Sequence, residues 1–233
     1  MVGEVGPDLA IDVLDKGYVR LVDYMGSDVS VVNAARVSYN KSTDKIRESD
    51  VKLIRYLKEH GHSSPFRHAS CTFEVKAPLM VARQWWKYVV GSDHTMEGWN
   101  EVSRRYVNDM PEYYVPDVWF KQSGKNKQGG EGVTPLTPEL NLMLEKIQSQ
   151  ATHNYSWAIA SGISAEQARL FLPAYGLYTT WYWTASLQSV LHFLAQRLEH
   201  DAQYEITQYA IAVRELIQPL FPYCVKEFLD YPA

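Results

Sequence analysis

Apolar and polar residues recur with two different periods along the chain. Between residues 49 and 60 the apolar side chains fall at helical spacing, which predicts a helix that ends at Gly61. The segment ASCTFEVKA instead alternates strictly and places Cys71 among the apolar positions, as expected for a strand with one buried face. The chain is therefore predicted to combine helices with strands.

The other segments extend this mixture. An opening strand within residues 11–22 runs into the turn Met25-Gly26-Ser27-Asp28, where Ser27 or Asp28 caps a helix that continues to about Val37. The patterns further predict a helix starting at Pro78 and a long helix from Thr137 towards Gly162. A helix capped by Ser164 and Gln167 should end before Pro173. The segment YGLYTTWYWTA predicts a strand, followed by a helix over 187–198 and a last helix from Asp201 to Pro219. Three or four strands interleaved irregularly with long helices indicate an α+β fold with a small, mostly antiparallel sheet.

One polar segment interrupts the pattern at residues 121–136. The sequence KQSGKNKQGGEGVTPL is rich in Gly, Lys and Gln and nearly lacks large apolar residues. This composition predicts a mobile surface loop, which is an unfavourable place for chemistry.

Composition and charge narrow the class of protein. The 233 residues are 46% hydrophobic and 21% charged, ordinary values for a globular chain of one large or two small domains. Such a chain can build a core without disulfides, so the two cysteines, Cys71 and Cys224, need not pair.

A net charge of −4 and a pI near 6.0 give no general attraction to nucleic acid or to an anionic membrane, so any anion site must be local. Aromatic residues reach 13%, which favours core and interface packing, with a pocket for a flat ligand as the alternative.

No targeting or membrane-spanning segment is visible in the sequence. No run approaches the roughly 18 apolar residues of a spanning helix, and the N-terminal stretch has no basic segment followed by an apolar one. The expected compartment is the cytoplasm, and neither a membrane nor nucleic acid is expected as a partner.

The first cluster of chemically capable residues is HGHSSPFRH, which contains His60, His62 and His68. Three histidines invite a metal interpretation, but zinc usually recruits thiolates or a helical histidine pair four residues apart. The alternative is that these side chains bond to the backbone in a loop between helix and strand, and this alternative is favoured over a metal site.

A second cluster, over residues 83–106, is dense in cationic, amide and hydroxyl side chains. If NEVSRRY is extended, Glu101, Ser103 and Arg105 project to one side, where a hydroxyl and a guanidinium would share one dianion. The alternative is that the arginines form ordinary ion pairs with Glu97 and Glu101. The residues by themselves leave both interpretations open.

Two later segments supply a third set of polar residues. EQARLFLP places Arg169 on a helix before Pro173, and SLQSVLHFLAQR places Gln188 and His192 one helical turn apart, followed by Arg197. A lone arginine at a helix end is more often a partner of the last carbonyl groups than a catalyst. This set alone identifies no substrate.

Read in order, short motifs along most of the chain resemble the flavin-dependent thymidylate synthases, the ThyX family. The motifs are LVDYMGSD, AARVSY, HGHSSPFRH, VKAPLMVARQW, NEVSRRY, ARLFLP, LYT, and FLAQR with AQYEITQYA. The family signature reads Arg-His-Arg, two residues, Ser, one residue, Asn-Glu, one residue, Ser, one residue, Arg, and its second half is present as Asn100, Glu101, Ser103 and Arg105. The first half is replaced by Lys87, Tyr88 and Val89, extra residues lie within GSDHTMEGW, and the family's later Asn-x-Arg reads Ser186-Leu187-Gln188.

The resemblance implies one ThyX-like catalytic domain over residues 1–233 that methylates dUMP reductively to dTMP. The one-carbon unit then comes from 5,10-methylenetetrahydrofolate, and NADPH reduces the cofactor FAD. A homotetramer whose active sites are built from several subunits is also implied. The flavin-free thymidylate synthase is a poor rival, because its Pro-Cys nucleophile setting is absent around Cys71 and Cys224.

The resemblance also assigns roles to individual residues. Arg197 matches the family's catalytic arginine, whose guanidinium would stabilise the anionic form of uracil, and Ser103 is the second catalytic candidate, as a phosphate ligand. The implied dUMP contacts are Gln84, Lys87, Glu101, Val102, Ser103, Arg104, Arg105, Arg169 and Arg197. The implied FAD contacts are His62, Ser64, Arg67, Lys87, His94, Asn100, Glu101, Ser186, Gln188 and His192, and no metal is assigned.

Two other functions remain open on the sequence. The missing Arg-His-Arg half suits a nucleotide- or flavin-binding homologue without catalysis, which would bind dUMP without turning it over. The extra residues before Asn100 suit a flavin-dependent enzyme that modifies another pyrimidine nucleotide. Comparison of dUMP with dCMP and UMP as substrates separates this last case from thymidylate synthesis.

Overall fold

Seven strands and eight α-helices occupy the part of the chain that the structure, a computed structural model, describes: residues 10–91, 97–106, 109–124 and 130–229. The strands are β1 (Ala10–Val13), β2 (Gly17–Met25), β3 (Ser70–Pro78), β4 (Gly98–Glu101), β5 (Phe120–Gln122), β6 (Gly130–Val133) and β7 (Tyr178–Ser186). The helices are α1 (Asp28–Arg36), α2 (Glu48–Glu59), α3 (Leu79–Gly91), α4 (Thr137–Ala160), α5 (Ala165–Ala168), α6 (Leu187–Arg197), α7 (Tyr204–Ile217) and α8 (Pro222–Leu229).

Five of the strands form one antiparallel sheet in the order β1-β2-β3-β7-β4. Its central pair, β3 and β7, is matched from Ser70 opposite Ser186 to Pro78 opposite Tyr178. The short strand β4 pairs with the outer edge of β7, and β5 and β6 form a separate hairpin. The predicted α+β class with an antiparallel sheet is therefore confirmed.

Aromatic side chains fill the core between the sheet and the helices α3, α6 and α7. The ring of Trp85 on α3 stacks on Phe193 of α6, with the ring centres 4.2 Å apart. The same indole meets Trp181 and Trp183 of β7 edge to face, at 5.5 and 5.3 Å. Offset and edge-to-face pairs of this kind stabilise a core beyond the area they bury, so the high aromatic content is at least partly core material.

A buried carboxylate joins the first and the last helix. Asp28, the first residue of α1, accepts hydrogen bonds from the backbone N–H groups of Tyr223 and Cys224 at 3.1 and 2.8 Å. These groups belong to the first turn of α8, which has no partners for them within the helix. Burial raises the pKa of Asp28, and its hydrogen bonds to Cys224 and Tyr223 oppose that rise.

Most of the predicted elements are confirmed to within a few residues: α1 with Ser27 at its cap position, α2, β3, α3, α4, β7, α6 and α7. In the described ranges, no helix has both the length and the apolar character needed to cross a membrane.

The opening segment differs from its prediction of one strand. It contains two strands, β1 and β2, which pair as an antiparallel hairpin. The chain reverses between them at Leu14, whose φ of 58° lies in the left-handed region. A bulky residue with positive φ carries no turn signal in the sequence, which is why the reversal was not predicted.

The predicted mobile loop over residues 121–136 is also corrected. Strands β5 and β6 pair there as an exposed hairpin, while residues 125–129 lie outside the described part of the chain. The indole N–H of Trp119 donates to the side chain of Asn141 on α4 at 2.7 Å, which attaches the base of the hairpin to that helix. Its surface position agrees with the prediction, and its mobility remains a prediction.

The helix predicted after Ser164 is shorter than expected. Ser164 precedes α5, but its side chain makes no capping hydrogen bond, and α5 passes at once into a 3₁₀ turn over Arg169–Phe171. Leu172 is extended, the conformation that a following proline imposes, so Pro173 ends the helical segment. The last predicted helix likewise stops early, at Ile217, and α8 was missed.

Two strand glycines provide a test of the packing around the β1–β2 hairpin. A Cβ atom on Gly17 would collide with the Tyr209 hydroxyl and lie 2.6 Å from the Lys76 carbonyl oxygen, to which that hydroxyl donates. We expect Gly17→Ala to lower the free energy of unfolding by about 1–3 kcal/mol through overpacking. Gly98→Ala is the matched control, because its Cβ would meet its nearest neighbour at 3.8 Å. Urea unfolding of both variants measures the difference, and equal losses would contradict the packing argument.

Candidate active site

Two surface cavities contain all the residues that the resemblance assigns to dUMP. The first cavity, of about 760 Å³, is lined among others by Glu101, Val102, Ser103, Arg104, Arg105 and Arg169. The second cavity, of about 1150 Å³, is lined among others by Gln84, Lys87 and Arg197. Helix α3 reaches both, because Leu79 lines the first cavity and Lys87 lines the second, about 12 Å further along the helix axis. Within one chain, the residues predicted to bind dUMP therefore lie in two separate cavities.

Glu166 holds two arginines of the first cavity in place. The guanidinium of Arg105 lies 3.5 Å from the Glu166 carboxylate, and Nε of Arg169 donates to the Glu166 backbone carbonyl at 3.2 Å. The Arg105–Glu166 pair is largely exposed, and exposed ion pairs contribute little stability. An incoming dianion would therefore displace this carboxylate readily and receive bidentate donors from the arginines.

A turn, and not an extended strand, brings Ser103 and Arg105 together. The extended form of NEVSRRY, the condition of the dianion interpretation, ends at Val102, whose N–H still bonds to the Thr180 carbonyl of β7. It ends there because β7 begins only two residues before Thr180. The chain then turns, with the N–H of Tyr106 donating to the Ser103 carbonyl at 3.0 Å. In this turn Nε of Arg105 donates to Oγ of Ser103 at 3.3 Å, so the predicted juxtaposition exists for a different structural reason.

The first cavity is also lined by Lys76 and Glu112, two charged residues that the sequence did not single out. Lys76 of β3 pairs with Glu112 at 2.5 Å, and its ammonium lies 5.6 Å from the ring centre of Tyr178. Glu101 accepts a hydrogen bond from Thr179 at 2.8 Å. Lys76 was visible only as an alternating polar position of a strand, and Glu166 only as a helix residue, so nothing in the sequence tied them to this cavity.

Arg197 in the second cavity is supported by an aromatic ring. Its guanidinium carbon lies 3.8 Å from the ring centre of Tyr88, and it donates a hydrogen bond to the Tyr88 hydroxyl. Nε of Arg197 is buried and has no hydrogen-bond partner among the described residues. Cation–π contact and hydrogen bond together fix the guanidinium plane while leaving donor capacity unused. Tyr88 was noted only as a substitution in the signature, since 109 positions separate it from Arg197.

Gln84 and Lys87 approach the second cavity from one face of α3, because they are three residues apart. The Gln84 amide is half-buried and donates to the side chain of Gln203, the residue that precedes α7. Lys87 is exposed, so its ammonium is available to a ligand in the cavity.

The residues assigned to FAD gather only in part. The 3₁₀ helix Ser64–His68, which carries Arg67, packs against α6, where Gln188 and His192 lie. Ser186 is the N-cap residue of α6. Oε1 of Gln188 is buried and has no hydrogen-bond partner in the described part of the chain. Burial lowers the pKa of His192, an effect that the charge of Glu97 opposes, so its imidazole is uncharged at neutral pH. An uncharged imidazole and an unused amide acceptor suit the edge of a flavin ring, which carries both N–H donors and acceptors.

The other residues assigned to FAD are more scattered. His62 and Ser64 lie around the start of the 3₁₀ helix, and His62 meets the ring of Tyr56 edge to face at 5.8 Å. Asn100 lies on β4 opposite Tyr182 and is exposed. His94 lies outside the described residues.

The histidine cluster has local contacts. His60 stacks on Tyr56 with the ring centres 4.0 Å apart, and its Nδ1 bonds to the Tyr56 carbonyl oxygen at 2.9 Å. Over the described ranges, no group of three or more His, Cys, Asp or Glu residues is arranged to hold a metal ion.

A cationic cavity suited to a phosphate, beside an arginine held on an aromatic face, is typical of a nucleotide-binding α+β protein. The family model described as "Thymidylate synthase complementing protein" matches residues 20–223, and the chain belongs to this family. Among curated relatives, the flavin-dependent thymidylate synthases of a Thermus thermophilus strain and of Thermotoga neapolitana are 43% and 39% identical, over 97% and 96% of this chain and 80% and 95% of their own. These matches confirm the resemblance to the flavin-dependent thymidylate synthases.

Solved structures point to the same kind of protein. The crystal structures of the UMP/dUMP methylase PolB from Streptomyces cacaoi, bound with 5-Br UMP and with 5-Br dUMP, match with TM-scores of 0.79 and 0.81. They are 30% and 31% identical to this chain, and in both cases the match covers 94% of this chain and 96% of the other.

Binding measurements can test the phosphate role of the first cavity. We expect Arg105→Ala to weaken binding of a pyrimidine nucleoside monophosphate about 10- to 100-fold, because a charge-assisted hydrogen bond is lost. Binding of the corresponding nucleoside, which has no phosphate, should not change. Arg83→Ala is the matched control, since Arg83 is exposed and lines neither cavity. An equal loss for nucleotide and nucleoside, measured by titration calorimetry, would place the phosphate elsewhere.

Proposed function

We propose that this chain is a flavin-dependent thymidylate synthase that methylates dUMP to dTMP. The observation that carries this proposal is the placement of the family signature: its retained half, with Glu101, Ser103 and Arg105, forms one wall of a cationic cavity. The match to the family over most of the chain supports the same reaction.

The phosphate of dUMP binds in the first cavity. Ser103 and Arg105 are already in contact there, and Arg169 is held beside them through Glu166. A phosphate dianion replaces the Glu166 carboxylate as the partner of Arg105, so binding exchanges one anion for another without exposing an unpaired guanidinium. Ser103 then acts as a phosphate ligand.

Arg197 is the catalytic residue of the proposed mechanism. With its guanidinium beside a pyrimidine oxygen, it stabilises the negative charge that develops on the uracil ring as the ring is activated. Tyr88 limits the movement of this side chain by stacking and hydrogen bonding. The group is therefore oriented before substrate arrives.

The protein supplies no cysteine nucleophile in this mechanism. Cys71 and Cys224 are both buried and unpaired by disulfides. Burial raises the pKa of each thiol far above neutrality, so neither forms a thiolate that could attack the pyrimidine. Activation of uracil then depends on electrostatic stabilisation, which distinguishes this site from that of the flavin-free enzyme.

The residues around the start of α6 hold FAD. Gln188 offers its unused acceptor and His192 its uncharged imidazole, and Arg67 and Ser186 lie on the neighbouring segments. Lys87 takes the phosphate-binding role of the absent Arg-His-Arg segment. The flavin, when bound, supplies the hydride that completes the methyl group. NADPH and 5,10-methylenetetrahydrofolate are the proposed co-substrates, in the cytoplasm.

The active site is shared between subunits of a homotetramer. Within one chain the phosphate cavity lies beside Leu79 at the start of α3, and the Arg197 cavity lies beside Gln84, Lys87 and Tyr88 further along the helix. In the proposed assembly a second copy brings the two groups together. Apolar side chains suited to such contacts are exposed on α4 and the following 3₁₀ turn: Leu142, Met143, Ile147, Trp157 and Leu170. The proposed single catalytic domain is the unit of this assembly.

Replacement of Arg197 tests the mechanism. We expect Arg197→Ala to reduce dTMP formation more than 100-fold, because one transition-state donor of this kind supplies about 2.7–4 kcal/mol. The assay follows dTMP and dUMP-dependent NADPH oxidation with protein that retains its flavin absorbance. Arg83→Ala again serves as control, and near-normal activity of Arg197→Ala would refute the assigned role.

A second candidate function is methylation of UMP as well as dUMP. It is favoured by the similarity to PolB, a UMP/dUMP methylase. Competition between UMP and dUMP in one reaction decides the preference. We expect dUMP to be methylated at least tenfold faster per unit concentration, and equal use of both nucleotides would favour the second function.

A further inference from the structure

A chain of hydrogen bonds connects the second cavity to the start of α7. Nε2 of Gln84 donates to Oε1 of Gln203, and Nε2 of Gln203 donates to the carboxylate of Glu205 at 2.7 Å. Gln203 and Glu205 belong to the motif AQYEITQYA, and all three residues line the cavity beside Arg197. None of the roles assigned so far uses this part of the motif.

The polarity of this chain follows from the carboxylate. An ionised Glu205 has acceptors only, so it must face the NH₂ end of the Gln203 amide. Gln203 therefore turns its carbonyl oxygen to Gln84, and Gln84 in turn must offer its own NH₂ group. Two amides that would otherwise be free to rotate by half a turn are thus each held in one orientation.

Further contacts support this orientation. Gln203 Nε2 also donates to the Met80 thioether sulfur, at 3.8 Å, so its NH₂ group has an acceptor on each side. The Tyr114 hydroxyl donates to the second oxygen of Glu205 at 3.5 Å. Burial and then the charge of Glu205 raise the pKa of Tyr114, so this phenol keeps its proton and remains a donor.

We propose that Gln203 and Glu205 are positioning residues that hold the Gln84 carbonyl oxygen as an acceptor in the second cavity, and that this acceptor selects a uracil ring over a cytosine ring. The inference rests on the proposed function, in which the pyrimidine lies beside Arg197 in this cavity. Oε1 of Gln84 has no hydrogen-bond partner in the described ranges, so it is available to a ligand.

The two bases differ in the groups that would meet this site. Uracil carries an N–H donor at N3 next to carbonyl acceptors, which complements the Gln84 acceptor and the Arg197 donors. Cytosine carries a lone pair at N3 and an amino donor at C4, so Gln84 would face an acceptor and Arg197 a donor. A site built for a hydrogen bond rejects a ligand that leaves its groups unpaired.

An isosteric exchange tests the polarity without changing the shape of the cavity. Glu205→Gln lets residue 205 present either end of an amide, so Gln203 and Gln84 are no longer held in one orientation. We expect this variant to lose about tenfold or more of the dUMP-over-dCMP preference. The double variant Gln203→Glu with Glu205→Gln places a carboxylate directly beside Gln84. Because a carboxylate only accepts, Gln84 must again offer its NH₂ group to residue 203 and keep its carbonyl oxygen free, so this variant should recover most of the preference.

The readout is the ratio of dissociation constants for dUMP and dCMP with the flavin-loaded protein, together with the ratio of kcat/KM. A merely structural role for Glu205 would lower both affinities equally and leave the ratio unchanged, and that result would overturn the inference. A double variant that discriminates no better than Glu205→Gln would overturn it as well. Failure of the proposed function would look different, as wild-type protein that binds dUMP over dCMP but forms no dTMP.

Discussion

The pairing of β3 with β7 is the constraint on which both cavities depend. Each strand runs directly into a helix, β3 into α3 and β7 into α6, and the ladder holds the start of each helix. The N–H of Leu79 bonds to Leu177 at one end, and the N–H of Leu187 bonds to Ala69 at the other. Because the strands are antiparallel, α3 and α6 start at opposite ends of the ladder and pack against each other above the sheet. Tyr88 and Arg197 meet as a result.

The chain places an arginine in each cavity despite its net negative charge. Arg105 in the first cavity is balanced by a carboxylate that is itself weakly held, so the unliganded site is neutralised and still selective for an anion. In the second cavity an aromatic face replaces the counter-charge, and Arg197 stays oriented through the ring and hydroxyl of Tyr88. An arginine without a ligand is therefore held in two ways in this protein, by an ion pair with Glu166 in the first cavity and by an aromatic ring in the second.

The structure shows a role for Tyr88, one of the residues at which this chain departs from the family signature. Tyrosine stands where the signature has histidine, and it supplies both a ring face and a hydroxyl to Arg197. The substitution thus places a support beside the proposed catalytic residue, Arg197.

Sequence patterns alone predicted most of the helices, the strands β3 and β7 and the antiparallel α+β class, because these follow from local periodicity and capping, as at Ser27 of α1 and Pro78 before α3. They missed α8 and the division of the opening segment into β1 and β2. The ordered motifs likewise pointed to the family and to the residues that line the cavities. Local signals did not reveal the turn that joins Ser103 to Arg105, since the length of a strand depends on its partner, here β7. Nor did they reveal Tyr88 against Arg197, or Gln203 against Gln84, because these pairs are distant in sequence and only the packing of α3 against α6 and α7 brings them together.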